Sequence, residues 1–394
     1  FEDDKEIIKA AITTLRKNFN TFKFLTTPEN KKSLLMIHLK DKINIKIFGE
    51  EHKIFHDNYM NIALNLAVRG LKKTSPNPLV GCVIVKDNDI IGEGWHKQYG
   101  HSHAEIEAIN DAKNHGHDIK GSTVYVTLEP CSHFGKTPPC ANRLVSEGVS
   151  EVVIALQDPN PKVNGNGIKI LRDAGINVTV LSGEIEEKAK WINRGFIFVQ
   201  KYKRPFVTLK AALSLDGRLC LSNGESKWLT GIEARTEAHL MRAENDAVLV
   251  GVNTVLKDDP ELTVRHVEGI NPLRVVLDRH NRTPLNAKIR GNDGKFLSLD
   301  KDIKSSLEYL AKEKGILTLT VEGGSEILSA FLREGLADYV KFFYAPKILG
   351  DGKNLNLGKN FNSVNEAFKL KNVKSKILGE DLMIEGRLTC SPDL

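Results

Sequence analysis

Cysteine is scarce in this chain of 394 residues: there are five, an odd number. That excludes a disulfide-stapled secreted scaffold and fits a reducing compartment. Aromatic residues make up 7%, too few to suggest the stacking platforms of a single-strand nucleic-acid binder. No apolar run approaches the ~20 residues of a membrane span and no signal-peptide pattern is visible. No membrane partner is therefore expected, and the expected compartment is cytoplasmic; because the chain begins on Phe, organellar targeting is left unread. Charge of neither sign is concentrated. A net charge of +6 is spread over interspersed lysines and acids without a basic arm, which gives no indication of nucleic acid but suffices to steer an anionic small molecule.

What remains is an ordinary globular composition, 41% hydrophobic and 27% charged, in a chain too long for one core. Residues 1–52 are Lys- and Asn-rich, with a helix expected at Glu6–Lys17 and a strand at Ile43–Phe48, and no chemistry is assigned to this extension. Helical spacing of Met60, Ala63, Leu64, Ala67 and Val68 predicts an amphipathic helix over His56–Leu71. A hairpin follows (Val80–Val85 and Ile90–Trp95), then helix Ala104–Lys113, strand Thr123–Leu128, helix Ala141–Glu147, strand Glu151–Ala155, helix Ile168–Ala174 and strand Val178–Leu181. This alternation predicts an α/β sandwich over a mainly parallel sheet. A charged stretch ending in Pro205 marks a boundary, so domains are expected at 53–201 and 202–394. The second repeats the strand and helix alternation from Phe206 to a last strand near Asp381–Arg387.

The chemistry is concentrated in His103-Ala104-Glu105, Pro130-Cys131 and Cys140. One His and two Cys make a zinc ligand set that leaves the fourth tetrahedral position for water. Glu105, not itself a ligand, stands where a proton shuttle is needed, and H-x-E…P-C…C is the signature of zinc nucleobase deaminases. A structural zinc site would need a fourth ligand, for which His101 and His133 stand as alternatives. Cys82, Cys220 and Cys390 lie in apolar runs and are expected as buried thiols. Gly135-Lys136-Thr137 ends like a phosphate-binding P-loop, but Pro130 occupies the position that needs Gly. No G-x-G-x-x-G follows a first strand in the second half.

Taken together, Ser75-Pro76-Asn77-Pro78-Leu79-Val80-Gly81, Gly92-Glu93-Gly94-Trp95-His96 and the run from Glu129 to Cys140 resemble the bifunctional riboflavin biosynthesis deaminase–reductases. So do Ser214-Leu215-Asp216-Gly217-Arg218, Asp258-Asp259-Pro260-Glu261-Leu262-Thr263-Val264-Arg265, Val321-Glu322-Gly323-Gly324 and Ala345-Pro346-Lys347-Ile348-Leu349-Gly350. The resemblance covers roughly residues 54–390. It implies a zinc cytidine-deaminase-like α/β/α sandwich followed by a dihydrofolate-reductase-like α/β domain, one Zn2+ in the first and NADPH in the second. It further implies a phosphorylated pyrimidine substrate and a homo-oligomer. His103, Cys131 and Cys140 would hold zinc and Glu105 would relay protons, with Asn77, His96 and Lys136 contacting the substrate.

Carried over by position, Ala212, Trp228, Thr254, Asp258 and Gly324, Ser325, Glu326, Ile327, Leu328, Ser329 and Ala330 match the family's cofactor contacts. Ser226, Arg242, Leu262, Arg265 and Glu322 match its substrate contacts. Arg242 and Arg265 suit a bidentate clamp on the ribose 5-phosphate, and Lys210 and Glu322 are the residues expected to act on the opened sugar. The rival reading, a tRNA adenosine deaminase, shares the zinc core but has the shorter Cys-x-x-Cys spacing and lacks a second half of this kind.

Overall fold

The structure, a computed structural model, describes residues 50–132, 139–160, 163–358 and 361–394. The elements expected at Glu6–Lys17 and Ile43–Phe48, and the candidates His133 and Lys136, lie outside the described residues.

Helix α1 (Glu50–Val68) buries Met60, Ala63, Leu64 and Ala67. It leads to the hairpin of β1 (Gly81–Lys86) and β2 (Asp89–Trp95), which turns on Asp87 and Asn88, both left-handed at φ 52° and 70°. Two consecutive left-handed residues give the turn a twist matching that of its strands. Then come α2 (Ala104–Asn114), β3 (Thr123–Val126), α3 (Cys140–Glu147), β4 (Glu151–Ile154), α4 (Asn166–Asp173) and β5 (Asn177–Val180). Alternate residues of the strands face two cores. Cys82, Ile84, Val124, Val126, Val152 and Ile154 meet α2, α3 and α4, whereas Val83, Val85, Tyr125 and Val153 meet α1 and the following helices. A three-layer sandwich follows from that period of two.

The sheet order β2-β1-β3-β4-β5 corrects the expectation of a mainly parallel sheet. β1 is antiparallel to both neighbours, and only the β3/β4 and β4/β5 pairs are parallel. β2 and β3 run in one direction, but the α2 crossover steps over β1, which lies between them and runs the other way.

Two further helices, α5 (Glu184–Ile192) and α6 (Arg194–Tyr202), were not expected from the sequence. α6 packs on both halves: Phe196 and Ile197 join the first core together with Leu317, and Phe198 joins Phe206 and Tyr339 of the second sheet. The second half runs β6 (Phe206–Ser214), α7 (Ile232–Glu244), β7 (Ala247–Gly251), α8 (Val252–Asp258), β8 (Leu273–Leu277) and β9 (Phe296–Leu299). It continues through α9 (Ile303–Lys314), β10 (Thr318–Val321), α10 (Ser325–Arg333), β11 (Tyr339–Ala345), β12 (Leu370–Leu378) and β13 (Asp381–Leu388).

Its eight strands lie in the order β12-β13-β11-β6-β10-β7-β8-β9, parallel from β11 to β9. Chain order reverses around β6, β10 and β7. That switch point leaves a crevice beyond the carboxyl ends of these strands, the usual ligand site of open α/β sheets. At the other end, the buried Arg204 guanidinium pairs with Asp338 at 2.6 Å and 2.8 Å, tying the interdomain connection to the sheet. Two of the expected buried thiols are not buried: Cys220 is half-buried and Cys390 exposed, and only Cys82 lies in a core.

Candidate active sites

His103 is the N-cap of α2 and Cys140 opens α3, while Cys131 follows the turn that ends β3. Their closeness is a product of the fold. Gly94 on β2 lies so near α2 that a Cβ there would sit 2.3 Å from the Ala108 nitrogen and 2.4 Å from the Ala104 oxygen. The His103 Nδ1 lies 3.6 Å from Cys131 Sγ and 3.4 Å from Cys140 Sγ. Tetrahedral zinc, with Zn–S and Zn–N bonds of the usual length, requires separations of about 3.6 Å. The donor set therefore fits zinc, and among the described residues it is the group of His, Cys, Asp and Glu that meets metal geometry. His101 is exposed and stands outside it.

The three side chains lie close enough to share protons with one another. A hydrogen bond from Cys140, with His103 adding to it, holds the Cys131 thiol down to about 4. The same pair of sulfurs, with burial, keeps Cys140 well up, and the Cys131 contact lifts His103 to about 9. Glu105, on the first turn of α2 and only 3% exposed, is pushed up to about 7 by burial and by the charge of Cys131, against the pull of His103. A carboxyl in that range both accepts and releases a proton near neutrality.

Beside this cluster the His96 ring meets His103 edge-on at 5.5 Å. The Ser102 carbonyl accepts from its Nδ1 at 3.0 Å, so Nε2 is left to accept from the Asn77 amide at 3.1 Å. Burial lowers the His96 pKa, so this neutral tautomer is the stable one. Asn77 and His96 thus meet beside the metal ligands.

One residue of this site was missed in the sequence. Glu129 is buried, and its carboxylate accepts from the backbone N–H groups of Asp158 (3.2 Å), Gly165 (2.9 Å), Gly167 (2.9 Å) and Ile168 (3.3 Å). It fixes the segment bearing Pro130 and Cys131 against the start of α4. Its sequence signal is a charge two residues before a ligand at a strand end, at the head of the run from Glu129 to Cys140.

In the second half a cavity of about 820 Å³ opens at the switch point. It is lined from β6 by Lys210 and Ala212, from α8 by Thr254 and Asp258, and beyond β10 by Glu322 and Gly323 to Ile327. Gly323 has φ 137°, and a Cβ there would lie 3.1 Å from both Ile327 Cγ2 and Thr254 Oγ1. Gly324 caps α10 without a side-chain bond, so the first-turn N–H groups are open to an anion. A dinucleotide pyrophosphate fits that cradle. Ala330 also lines the cavity, but Leu328 and Ser329 of the same expected stretch are fully buried on the core side of α10.

An adjoining cavity of about 460 Å³ is lined by Ser226, Trp228, Arg235, His239, Leu262, Arg265 and Lys288, among others. Leu262 is buried yet left-handed at φ 52°. Trp228 is 68% exposed, with the Arg235 guanidinium 4.3 Å above its ring.

Arg242 reaches both cavities, but its fork is engaged: Nε and a terminal nitrogen donate to the two carboxylate oxygens of Glu322 at 2.7 Å and 2.9 Å. Lys210 Nζ lies 3.9 Å from the same carboxylate. Burial would raise the Glu322 carboxyl, yet Arg242 outweighs it and, helped by Lys210, holds it at about 2. Lys210 is lowered by burial and by Arg242, against the pull of Glu322.

Comparison with known proteins places both halves. Residues 53–156 match the cytidine and deoxycytidylate deaminase zinc-binding region, and residues 205–384 match the RibD C-terminal domain. The riboflavin biosynthesis protein RibD of Aquifex aeolicus is 43% identical over 352 residues, spanning 83% of this chain and 97% of the relative. That of Escherichia coli is 38% identical over 362 residues, with the same coverage of 83% and 97%. Among solved structures, the Thermotoga maritima diaminohydroxyphosphoribosylaminopyrimidine deaminase/5-amino-6-(5-phosphoribosylamino)uracil reductase superposes with a TM-score of 0.78 at 39% identity, covering 86% of this chain and 99% of that one. Acinetobacter baumannii RibD in one crystal form gives 0.78 at 39% identity, covering 85% and 99%.

Proposed function

The chain belongs to the RibD family, and from that membership we infer how its residues share the work of a bifunctional enzyme of riboflavin biosynthesis. The first reaction deaminates 2,5-diamino-6-(5-phosphoribosylamino)pyrimidin-4(3H)-one. The second reduces the ribosyl side chain with NADPH, giving 5-amino-6-(5-phosphoribitylamino)uracil. The observation that carries the reading is the pairing, on one chain, of the His103, Cys131 and Cys140 triangle around a buried Glu105 with the cavity at Gly323 and Gly324. We take residues 53–201 as the deaminase unit and 202–394 as the reductase unit.

Zinc, when bound by His103, Cys131 and Cys140, supplies the Lewis acidity that makes water a nucleophile near neutral pH. Glu105 takes a proton from that water as its oxygen bonds to the amino-bearing ring carbon. It passes that proton to the ring nitrogen, then takes the second proton from the new hydroxyl and gives it to the amine, so that the C–N bond breaks, ammonia departs and the hydroxyl becomes the ring carbonyl. Asn77 and the neutral His96 orient the pyrimidine beside these groups.

NADPH supplies the hydride of the second reaction. The N–H groups of Gly324, Ser325 and Glu326 would hold its pyrophosphate, and Ala212, Thr254 and Asp258 would line its site. Because Arg242 keeps Glu322 ionised, Lys210 is the group that carries a proton to the opening sugar oxygen. Glu322 in turn holds the ammonium charge that burial opposes. Arg265, exposed and donating to Glu261 and to the Thr263 hydroxyl, can exchange these exposed partners for the 5-phosphate. The same reading expects a cytoplasmic homo-oligomer acting on a small phosphorylated pyrimidine and not on nucleic acid. Among the described residues, no helix is long and apolar enough to cross a membrane.

The deciding experiment measures metal content, ammonia release and NADPH oxidation for wild type and Glu105→Ala. One zinc per chain, with ammonia release lost in the variant and NADPH oxidation on predeaminated substrate retained, is the expected result. Ammonia release indifferent to Glu105 would sink the assignment.

A further inference from the structure

The segment between α1 and β1, residues 69–80, carries Asn77 into the first active site. A turn bond runs from Asn77 N to Thr74 O at 2.7 Å, and from the loop after β2 Tyr99 N donates to Lys73 O at 2.9 Å. Past Asn77 it is clamped by the Asn193 side chain, which accepts from Leu79 N at 2.8 Å and donates to Leu79 O at 2.9 Å. Before Asn77 the side-chain hydrogen bonds of Lys72 and Ser75 run to the other domain. Lys72, left-handed at φ 62°, extends its ammonium to the backbone carbonyls of Arg242 (3.0 Å) and Ile270 (2.6 Å). The Ser75 hydroxyl donates to Asp246 Oδ1 at 2.8 Å. The other oxygen of Asp246 takes Leu317 N, Thr318 N and the Thr318 hydroxyl at 3.0, 3.0 and 3.2 Å, which makes the acceptor part of the second sheet.

We propose that the reductase domain completes the deaminase substrate site: Lys72 and Ser75 are positioning residues that hold Asn77, and through it His96, in register with His103. The inference rests on the deaminase reading above. The physical reason is economy of restraint. Asn77 fixes the His96 acceptor nitrogen by one amide hydrogen bond, so the amide must be held to a fraction of an ångström. Of the four residues preceding it, Lys73 and Pro76 are exposed, Ser75 is half-buried and Thr74 is buried. Charge-assisted bonds from the half-buried Lys72 ammonium to the carbonyls of Arg242 and Ile270 add restraint to this short stretch. Because Lys72 meets only the backbone of Arg242, while the Arg242 side chain is held by Glu322, the reductase chemistry does not depend on Lys72.

The test uses the full chain and four proteins: wild type, Lys72→Met, Ser75→Ala and Ser75→Thr. Zinc per chain, steady-state ammonia release from the diaminopyrimidinone ribosylamino phosphate, and NADPH oxidation on predeaminated substrate are measured for each. In Lys72→Met the deaminase KM rises about tenfold, the effect of losing a hydrogen bond to a charged group. Its kcat, zinc content and reductase kinetics stay at wild-type values. Ser75→Ala shifts KM the same way by a smaller factor, and Ser75→Thr, which keeps the hydroxyl, restores it. An unchanged deaminase KM in both Lys72→Met and Ser75→Ala overturns the inference while leaving the deaminase reading intact. A parallel fall of kcat, zinc and reductase activity overturns it too, since that is the mark of a general structural role. Failure of the wild type to release ammonia would bring down both.

Discussion

Replacing Glu322 by Gln tests the electrostatics of the reductase site most directly. The substitution keeps the shape but removes the charge that Arg242 grips with two donors at 2.7 Å and 2.9 Å and that Lys210 faces at 3.9 Å. The side chains of Glu322 and Arg242 are 9% and 11% exposed, so little water is available to replace the lost partner. Arg242 outweighs burial in holding Glu322 at about 2 rather than 4.5; at about 1.4 kcal/mol per pH unit the charge is worth on the order of 3 kcal/mol. Removing one member of a buried ion pair costs roughly 3–5 kcal/mol by general experience, in agreement. For a domain of this size the melting transition should fall by roughly 6–12 °C, read by calorimetry alongside near-complete loss of NADPH oxidation and retention of ammonia release. The pH dependence fixes the sign. A carboxyl whose folded-state pKa is depressed stabilises fully above its unfolded value and loses that contribution as pH falls towards the folded value. The gap between wild type and Glu322→Gln is therefore constant from neutrality down to about pH 5 and narrows below 4.5. A gap that is absent at pH 7, or that narrows as pH rises, would refute the reasoning.

The other predictions concern the metal, its support, the cofactor cradle and the phosphate. Chelation that strips zinc should abolish ammonia release and leave NADPH oxidation on predeaminated substrate unchanged; inhibition of both together would deny separate sites. Glu129→Ala orphans four backbone donors near Cys131, and should weaken zinc retention about 10- to 100-fold in a competition titration, whereas full retention would reduce Glu129 to a loop tether. Gly323→Ala places a methyl group 3.1 Å from Ile327 and Thr254 at φ 137°, a backbone conformation that side chains rarely adopt; the KM for NADPH should rise at least tenfold while deaminase kinetics hold. Arg265→Ala should raise the reductase KM for the phosphorylated substrate about tenfold with little change in thermal stability, because its carboxylate partner is exposed; equal KM values for phosphorylated and dephosphorylated substrate in the wild type would contradict a phosphate role.

Much of the first site was legible because its chemistry is compact in sequence. His103 and Glu105 are two residues apart, the ligands fall at element boundaries, and the helix expected from Ala104 appears with His103 at its cap. What stayed hidden depends on partners far along the chain. Glu129 meets donors 29 to 39 residues away, so nothing local distinguished it from any acid beside a turn. Helix α8 spans seven residues, too short for its period to register. β12, with Lys371, Lys374 and Lys376 and an almost wholly exposed pattern, shows no alternation because it is the sheet edge. The antiparallel pairing of β1 with β3 in the first sheet was hidden for a related reason: a strand, helix, strand sequence has the same local signature whether the crossover lands beside its starting strand or one strand beyond.

The two arginines show where residue-type reasoning stops. Both suit phosphate by the geometry of a guanidinium fork, and sequence context alone treats them alike. The fold separates them. Arg242 sits on α7 where Glu322, 80 residues later, accepts from its Nε and one terminal nitrogen, so it serves as an internal counter-charge that keeps Glu322 ionised, and Glu322 in turn opposes the loss of the Lys210 charge. Arg265 lies on an exposed loop whose backbone nitrogen is fixed by His239 Nδ1 at 3.0 Å while its side chain is left at the cavity mouth. A held backbone with an exchangeable guanidinium is what a ligand clamp needs, and a guanidinium already satisfied by a buried carboxylate is what a preorganised site needs. The division of labour follows from burial and partner, and neither is written in the identity of the residue.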